Sequence, residues 1–197
     1  MIRFPDSAVV ADHISIHGTR AAAAADGAGA TAAAAEAGPP VSVGESSVLH
    51  PRCKFYVEHG PVVIGSHCIV SELVEITGGG AGGVQIGDYC HIEPKVVITG
   101  PCQIGAGTTL RSGCRVGRGA VLGDNCRVNA LCVVGDGETV PALTVIFGPD
   151  PHQRRQLSGA IADEHVTSGR DVMDKHIDYL KQTLPKYSRM KQAKQTQ

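Results

Sequence analysis

The chain has no Trp, and aromatic residues make up only 4% of it. A core without large rings must be filled by aliphatic and small side chains, and Ile, Val, Ala and Cys are present to fill it. Charge is also scarce, at 19% of residues against about 25% in ordinary domains. A formal net charge of -1 gives no basic footprint, so nucleic acid is not expected as a partner. No run of about 18 apolar residues occurs, which excludes a membrane-spanning helix. Pro5 and Asp6 break the apolar stretch that a secretory signal would need, so a cytoplasmic protein is expected. The 197 residues allow one domain plus tails.

What is plentiful is glycine, with 25 residues, and a repeat of period six. From Ile86, every sixth residue is aliphatic: Ile92, Ile98, Ile104, Leu110, Val116, Leu122, Val128, Val134, Val140 and Ile146. Four places after each of the first eight lie small residues: Cys90, Val96, Cys102, Thr108, Cys114, Ala120, Cys126 and Cys132. Six residues cannot hold a helix and a turn, but they fit a short strand and a bend. Strand side chains alternate faces, so positions i and i+4 can both point inward. A single unit cannot bury its own apolar face, so the units must coil and stack. The expected fold class is all-β, a parallel β-helix.

Upstream the frame continues in groups of three: Phe4, Val10 and Ile16; Val43, Leu49 and Phe55; Ile64, Val70 and Ile76. Every slip of frame follows a whole number of triplets, as in a three-sided coil whose insertions all leave from one corner. The grouping gives about seven coils over residues 1–148. The insertions are about 21–40, which is Ala-rich, a short one at Gly60 and Pro61, and about 77–85. A polar connector is expected over 149–169. Met173, Ile177, Leu180 and Leu184 then recur at helical spacing and predict an amphipathic helix over 170–184, with Ser168 as N-cap and Pro185 at its end. A basic tail occupies 185–197. The apolar stripe must dock either on its own β-helix or in a partner's groove.

All seven Cys, Cys53 and Cys68 included, fall in the i+4 slot, and no CxxC occurs, so buried free thiols are expected rather than metal ligands. Among the nine His, His50, His59, His67 and His91 fall at different places in the repeat frame and are not expected to converge on a metal. Glu58, Glu72, Glu75 and Glu93 read as solvated charges. Arg111, Arg115, Arg118 and Arg127 are candidates for an outward positive stripe, balanced by Asp124 and Asp136.

The units IGAGTT, VGRGAV and LGDNCR resemble the hexapeptide-repeat family, and the resemblance implies a left-handed triangular β-helix with a C-terminal α-helix. The chain lacks the paired His ligands of that family's carbonic anhydrases. It also lacks the usual acyltransferase exit, a Gly followed two places later by Pro-Ala and a basic residue. Its exit TVIFGPDPHQRR, the helix DVMDKHIDYLKQTLPKYSRMKQ and the segments EAGPPVSVGESSVLHPRCKF and VVIGSHCIVSELVEI are similar to the hexapeptide subunits at the pointed end of the dynactin complex.

That likeness implies a non-catalytic adaptor without cofactor or metal, in the cytoplasm and on the cytoskeleton, supporting dynein-dependent cargo binding and microtubule-based transport. Its implied partners are a sister hexapeptide-repeat subunit, in a heterodimer, and the pointed-end actin-related protein. The final coil exposes strand edges that proteins cover or pair. Val140, Leu143, Val145, Phe147, Arg154 and Arg155 are therefore the expected partner-interface residues, and Met173, Ile177, Leu180 and Leu184 the helix-docking ones. The alternative is a hexapeptide-repeat acyltransferase or a gamma-type carbonic-anhydrase-like metalloenzyme, with sites between subunits of a trimer.

Overall fold

The structure is a computed structural model that describes residues 4–11, 13–17, 40–57, 60–80, 82–148, 154–156 and 160–187. Strands of two or three residues succeed one another around three faces, and each but the last pairs in parallel with the strand one coil away. The result is an all-β parallel solenoid with one C-terminal helix. Face one is a six-stranded sheet running from Val41–Val43 to Thr139–Val140. Face two has eight strands, from Val9–Val10 to Arg154–Gln156. Face three has six, from Ser15–His17 to Val133–Val134.

Register explains the period. On face one, Val43, Ile64, Ile86, Ile104, Leu122 and Val140 stand one above another. On face two the column is Val10, Leu49, Val70, Ile92, Leu110, Val128 and Ile146. Burial alternates along strands that the helix does not cover, as in Val62-Val63-Ile64, where the central side chain faces solvent. One hexad therefore contributes one inward aliphatic to the stack, and a slip of one residue would turn the column outward.

Most corners turn the chain within four residues through one residue in the left-handed region. Ser46, His67, Tyr89, Asn125 and Leu143 hold positive φ at the corner between faces one and two. Non-glycine residues rarely adopt this conformation, and the repeated corner ladder holds them there. Aspartates on this corner tie adjacent coils together: Asp88 Oδ1 accepts from the Ser66 backbone N at 2.7 Å, and Asp124 Oδ1 from the Ala106 N at 2.8 Å.

Five coils are complete, and incomplete ones flank them at each end. The seven coils read from the sequence correspond to the seven parallel strands of face two, which the other faces do not match. The insertions fall where the chain passes from face three to face one: between Ser15–His17 and Val41–Val43, between Lys54–Tyr56 and Val62–Ile64, and between Glu75–Thr77 and Val84–Ile86. The Ala-rich segment itself, Gly29 included, lies outside the described residues.

The region after the last coil differs from the expected connector and helix. Arg154–Gln156 pairs antiparallel with Thr144–Ile146, so the final coil is covered on face two. The helix spans Ala160–Tyr187. It starts ten residues before the predicted 170 because Thr167, Ser168 and Gly169 lie inside it and do not cap it. Pro185 falls in its last turn, where a missing donor costs one hydrogen bond without ending the helix.

Candidate functional site

The helix lies along face two. Ile177 and Leu180 are buried against Val48 and Ile69, with Val9, Met173 and Leu184 packed around them. Val48 and Ile69 point outward from strands whose next residues, Leu49 and Val70, point inward, so this small core is separate from the one inside the coils.

Polar contacts fix the helix direction. Lys181 Nζ donates to Ser46 Oγ at 3.2 Å, His67 Nδ1 and Asp174 Oδ1 are 2.8 Å apart, and the Arg170 guanidinium sits 5.4 Å from the Tyr89 ring centroid. Ser46, His67 and Tyr89 are the left-handed corner residues of successive coils. The helix therefore runs antiparallel to the direction of coiling, with its N-terminal half over the later coils. Tyr89 stacks on His67 with ring centroids 4.7 Å apart, which extends the polar column.

On face two itself, the helix brings His176 to two histidines of the β-helix. The His91 and His176 rings meet edge to face with centroids 6.0 Å apart. Burial holds the His50 imidazole below its ordinary value, Glu72 opposes this and His176 adds to it. Burial likewise lowers His91, with Glu93 opposing and His176, His50 and Arg111 assisting. Two neutral imidazoles thus lie within electrostatic reach of each other and of a third. Spacing in the repeat frame argues against a shared metal site at His50 and His91 and contains nothing of a third imidazole. The missing element was the helix, which adds His176 from far along the chain. Among the described residues no group of three or more His, Cys, Asp or Glu side chains is placed to hold a metal ion.

The other sequence candidates are dispersed. Glu75 pairs with Lys54 at 2.8 Å, and Glu93 Oε2 accepts from the Ser112 hydroxyl at 2.9 Å. Arg111 and Arg127 share face two, whereas Arg115 is on face three and Arg118 stands at the corner beyond it, so the four arginines form no single stripe. His59 and Glu58 lie outside the described residues.

Of the expected interface residues, Val140 is 1% exposed and points into the core, so it offers no surface. Leu143 is a half-buried corner residue with φ 59°. Val145 is paired in register with Arg155 of the added strand. Phe147 is 38% exposed. Arg154 is in contact with Glu138.

The residues that the sequence reading missed are Tyr89, Arg170, Asp174, His176 and Lys181. The helical stripe marks Arg170, Asp174, His176 and Lys181 only as positions flanking the docking face, and nothing in the sequence says which residues of the coils they meet.

Residues 83–118 match the family model described as bacterial transferase hexapeptide (six repeats). No curated protein matches the chain. Among solved structures, a hexapeptide transferase family protein from Anaplasma phagocytophilum is similar, with a TM-score of 0.60 at 12% identity, covering 89% of this chain and 92% of that one. A variant of AntD, an N-acyltransferase from Bacillus cereus in complex with dTDP and coenzyme A, gives a TM-score of 0.57 at 14% identity, covering 89% and 91%.

At these identities the likeness establishes the hexapeptide-repeat β-helix. These neighbours also correct the expectation that the chain is not an enzyme: one is a hexapeptide transferase family protein and the other a variant of an N-acyltransferase in complex with coenzyme A. Nothing in these comparisons is specific to dynactin subunit 6.

Proposed function

We propose that the chain is a hexapeptide-type acyltransferase that moves an acyl group from coenzyme A to an amine or hydroxyl acceptor. The observation that carries this reading is the pair of imidazoles, His50 and His91, which burial keeps in the neutral form on face two. A neutral imidazole at pH 7 is able to accept a proton. The acceptor's lone pair attacks the thioester carbonyl, and its proton passes to the imidazole. The carbon–sulfur bond then breaks, and the departing thiolate takes the proton back. Support comes from the fold shared with a coenzyme A-bound N-acyltransferase along 89% of this chain.

The test incubates the full chain with acetyl-coenzyme A and a panel of amino-sugar and amine acceptors, with acylated product followed by mass spectrometry. Product formation that His91→Gln reduces at least about a hundredfold supports the reading. No product with any acceptor, or turnover indifferent to both His50→Gln and His91→Gln, sinks it.

A second reading places the chain as a hexapeptide subunit of the dynactin pointed end, specifically resembling dynactin subunit 6. It is favoured by exposed apolar residues toward the later coils: Leu131 is 80% exposed, Val133 47% and Phe147 38%. The strand edges Val133–Val134 and Thr139–Val140 have no further strand neighbour among the described residues. On this reading, a pull-down from cytosol recovers an actin-related protein and a sister hexapeptide subunit. Leu131→Asp and Phe147→Asp reduce the recovery without unfolding the chain.

A further inference from the structure

A second feature of the helix-covered face is separate from the histidines. Between the N-terminal half of the helix and the later coils lies a small cleft of about 50 Å³, lined by Tyr89, Thr109, Asn125, Arg127, Arg170 and Met173, with Gly107 among the wall residues. Among the described residues, two guanidinium groups line it and no carboxylate does. Arg127 enters from the β-helix and is paired in register with Thr109 on the preceding coil. Arg170 enters from the helix, against the Tyr89 ring.

The arginine from the β-helix is under-satisfied. Arg127 Nε is buried and has no hydrogen-bond partner. A buried donor left unmade costs about 1–3 kcal/mol, and such groups are rare in native structures unless something outside the chain answers them. Three described carboxylates of the neighbouring coils and helix are engaged elsewhere, although Glu93 lies within electrostatic reach of Arg127. Glu93 binds Ser112 and faces Arg111 at 3.9 Å, Asp124 caps the Ala106 amide, and Asp174 holds His67. Positive charge from two elements therefore converges on a space whose other polar side chains, among the described residues, are neutral: a hydroxyl at Thr109, an amide at Asn125 and a phenol at Tyr89.

We propose that this cleft is a phosphate-binding site, in which Arg127 and Arg170 clasp a phosphate or phosphomonoester dianion between the β-helix and the C-terminal helix. Two forks approaching from different elements suit an anion with three outward oxygens, whereas a carboxylate would occupy only one of them. Because the ligand touches both elements, its binding also strengthens helix docking. The site does not depend on the acyl-transfer reading, since none of its residues belongs to the histidine cluster.

The experiment uses the full chain in phosphate-free buffer at constant ionic strength, titrated separately with inorganic phosphate, glycerol 3-phosphate, succinate and sodium chloride. Amide resonances of Gly107 and Asn125 report binding. Saturable shifts are expected with phosphate or glycerol 3-phosphate, and the tighter of the two tells free from esterified phosphate as the source. Arg127→Gln and Arg170→Gln should each weaken that binding at least about tenfold. Arg170 is exposed, so its variant remains informative even if Arg127→Gln disturbs the coil. Three results would overturn the site: no saturable shift beyond the chloride control, succinate binding as tightly as phosphate, or phosphate binding unchanged in Arg170→Gln.

Discussion

The thiol of Cys90 donates to the carbonyl oxygen of Gly105, 3.2 Å away on the next coil. The same bond repeats along the corner between faces one and two. Ser47 donates to Gly65, Cys68 to Gly87, Thr108 to Gly123 and Cys126 to Pro141, at 2.8 to 3.2 Å. The i+4 residue is thus small because the corner is tight, and it carries a donor because a corner carbonyl would otherwise be buried unpaired. Cys90→Ser should therefore be tolerated, whereas Cys90→Ala should cost about 1–2 kcal/mol. Urea unfolding of the two variants checks this, and equal losses would refute the role of the donor.

The thiols also make an alkaline prediction. Burial pushes Cys53, Cys102 and Cys114 from 9.0 up to about 12. The folded chain then holds protons that the unfolded chain releases, so stability is intact below pH 9 and falls as pH rises from 9 toward 12. Unfolding midpoints at pH 8 and pH 10 should differ in that direction, and Cys114→Ser should reduce the difference. Native labelling by a thiol reagent should be slow at all seven cysteines, which are all free and buried. Rapid labelling would contradict their placement.

The coils were legible in the sequence because inward aliphatics and corner residues recur every six positions, and register turns that period directly into columns. The triplet grouping located the corner of the insertions for the same reason. The helix was legible only in its middle. The stripe at Met173, Ile177, Leu180 and Leu184 marks where it packs, while its first turns carry Gly169 and Ser168, which local propensity reads as a boundary and docking overrides. The histidine cluster and the arginine cleft were not legible, because each joins residues of the repeat to residues of the helix. Periodicity relates positions within the repeat and contains nothing about which face the helix chooses.

At the corner of the insertions, backbone approaches backbone. Gly83 has φ +58°, and a Cβ there would lie 2.0 Å from the Pro61 carbonyl oxygen. At Gly82 the nearest atom to a Cβ is Pro101 Cβ, at 3.9 Å. Gly83→Ala should therefore destabilise by more than about 1 kcal/mol, through left-handed strain and a clash that no rotamer relieves, and Gly82→Ala should be nearly neutral. Denaturant titration of both variants decides it, and parity between them would mean that the loop moves away at no cost.

The histidines predict loss of stability in acid. Burial depresses His50 and His91 below the ordinary 6.5. The folded chain binds fewer protons than the unfolded one, so the stabilisation is present above pH 6.5 and is lost as pH falls through the depressed values. His176 on the helix and Arg111 on the sheet both oppose a charge on His91, while Glu93 favours it. Melting temperature should drop between pH 7 and pH 5 in the unaltered chain, and His91→Gln should flatten that drop. A profile that His91→Gln leaves unchanged would place the sensitivity elsewhere.

Loss of helix docking should leave the coils standing. Ile177 and Leu180 bury against Val48 and Ile69 on the outer side of face two, while the inward columns close without them. Burying a Leu side chain is worth about 1.5–3 kcal/mol, and placing a carboxylate in its seat adds a desolvation cost. Leu180→Asp should therefore release the helix. The His67–Asp174 and Lys181–Ser46 contacts are partly exposed and too weak to hold it alone. Hydrogen exchange reads the two parts separately. Amides of residues 170–184 should lose protection in Leu180→Asp, while those of Leu110, Val116 and Leu122 keep theirs. Val116→Asp, which puts the same charge inside the coil, should instead strip protection from the whole stack. If Leu180→Asp also unprotected the coil amides, the helix would be part of the cooperative core, and the two hydrophobic clusters would be one in energy though separate in space.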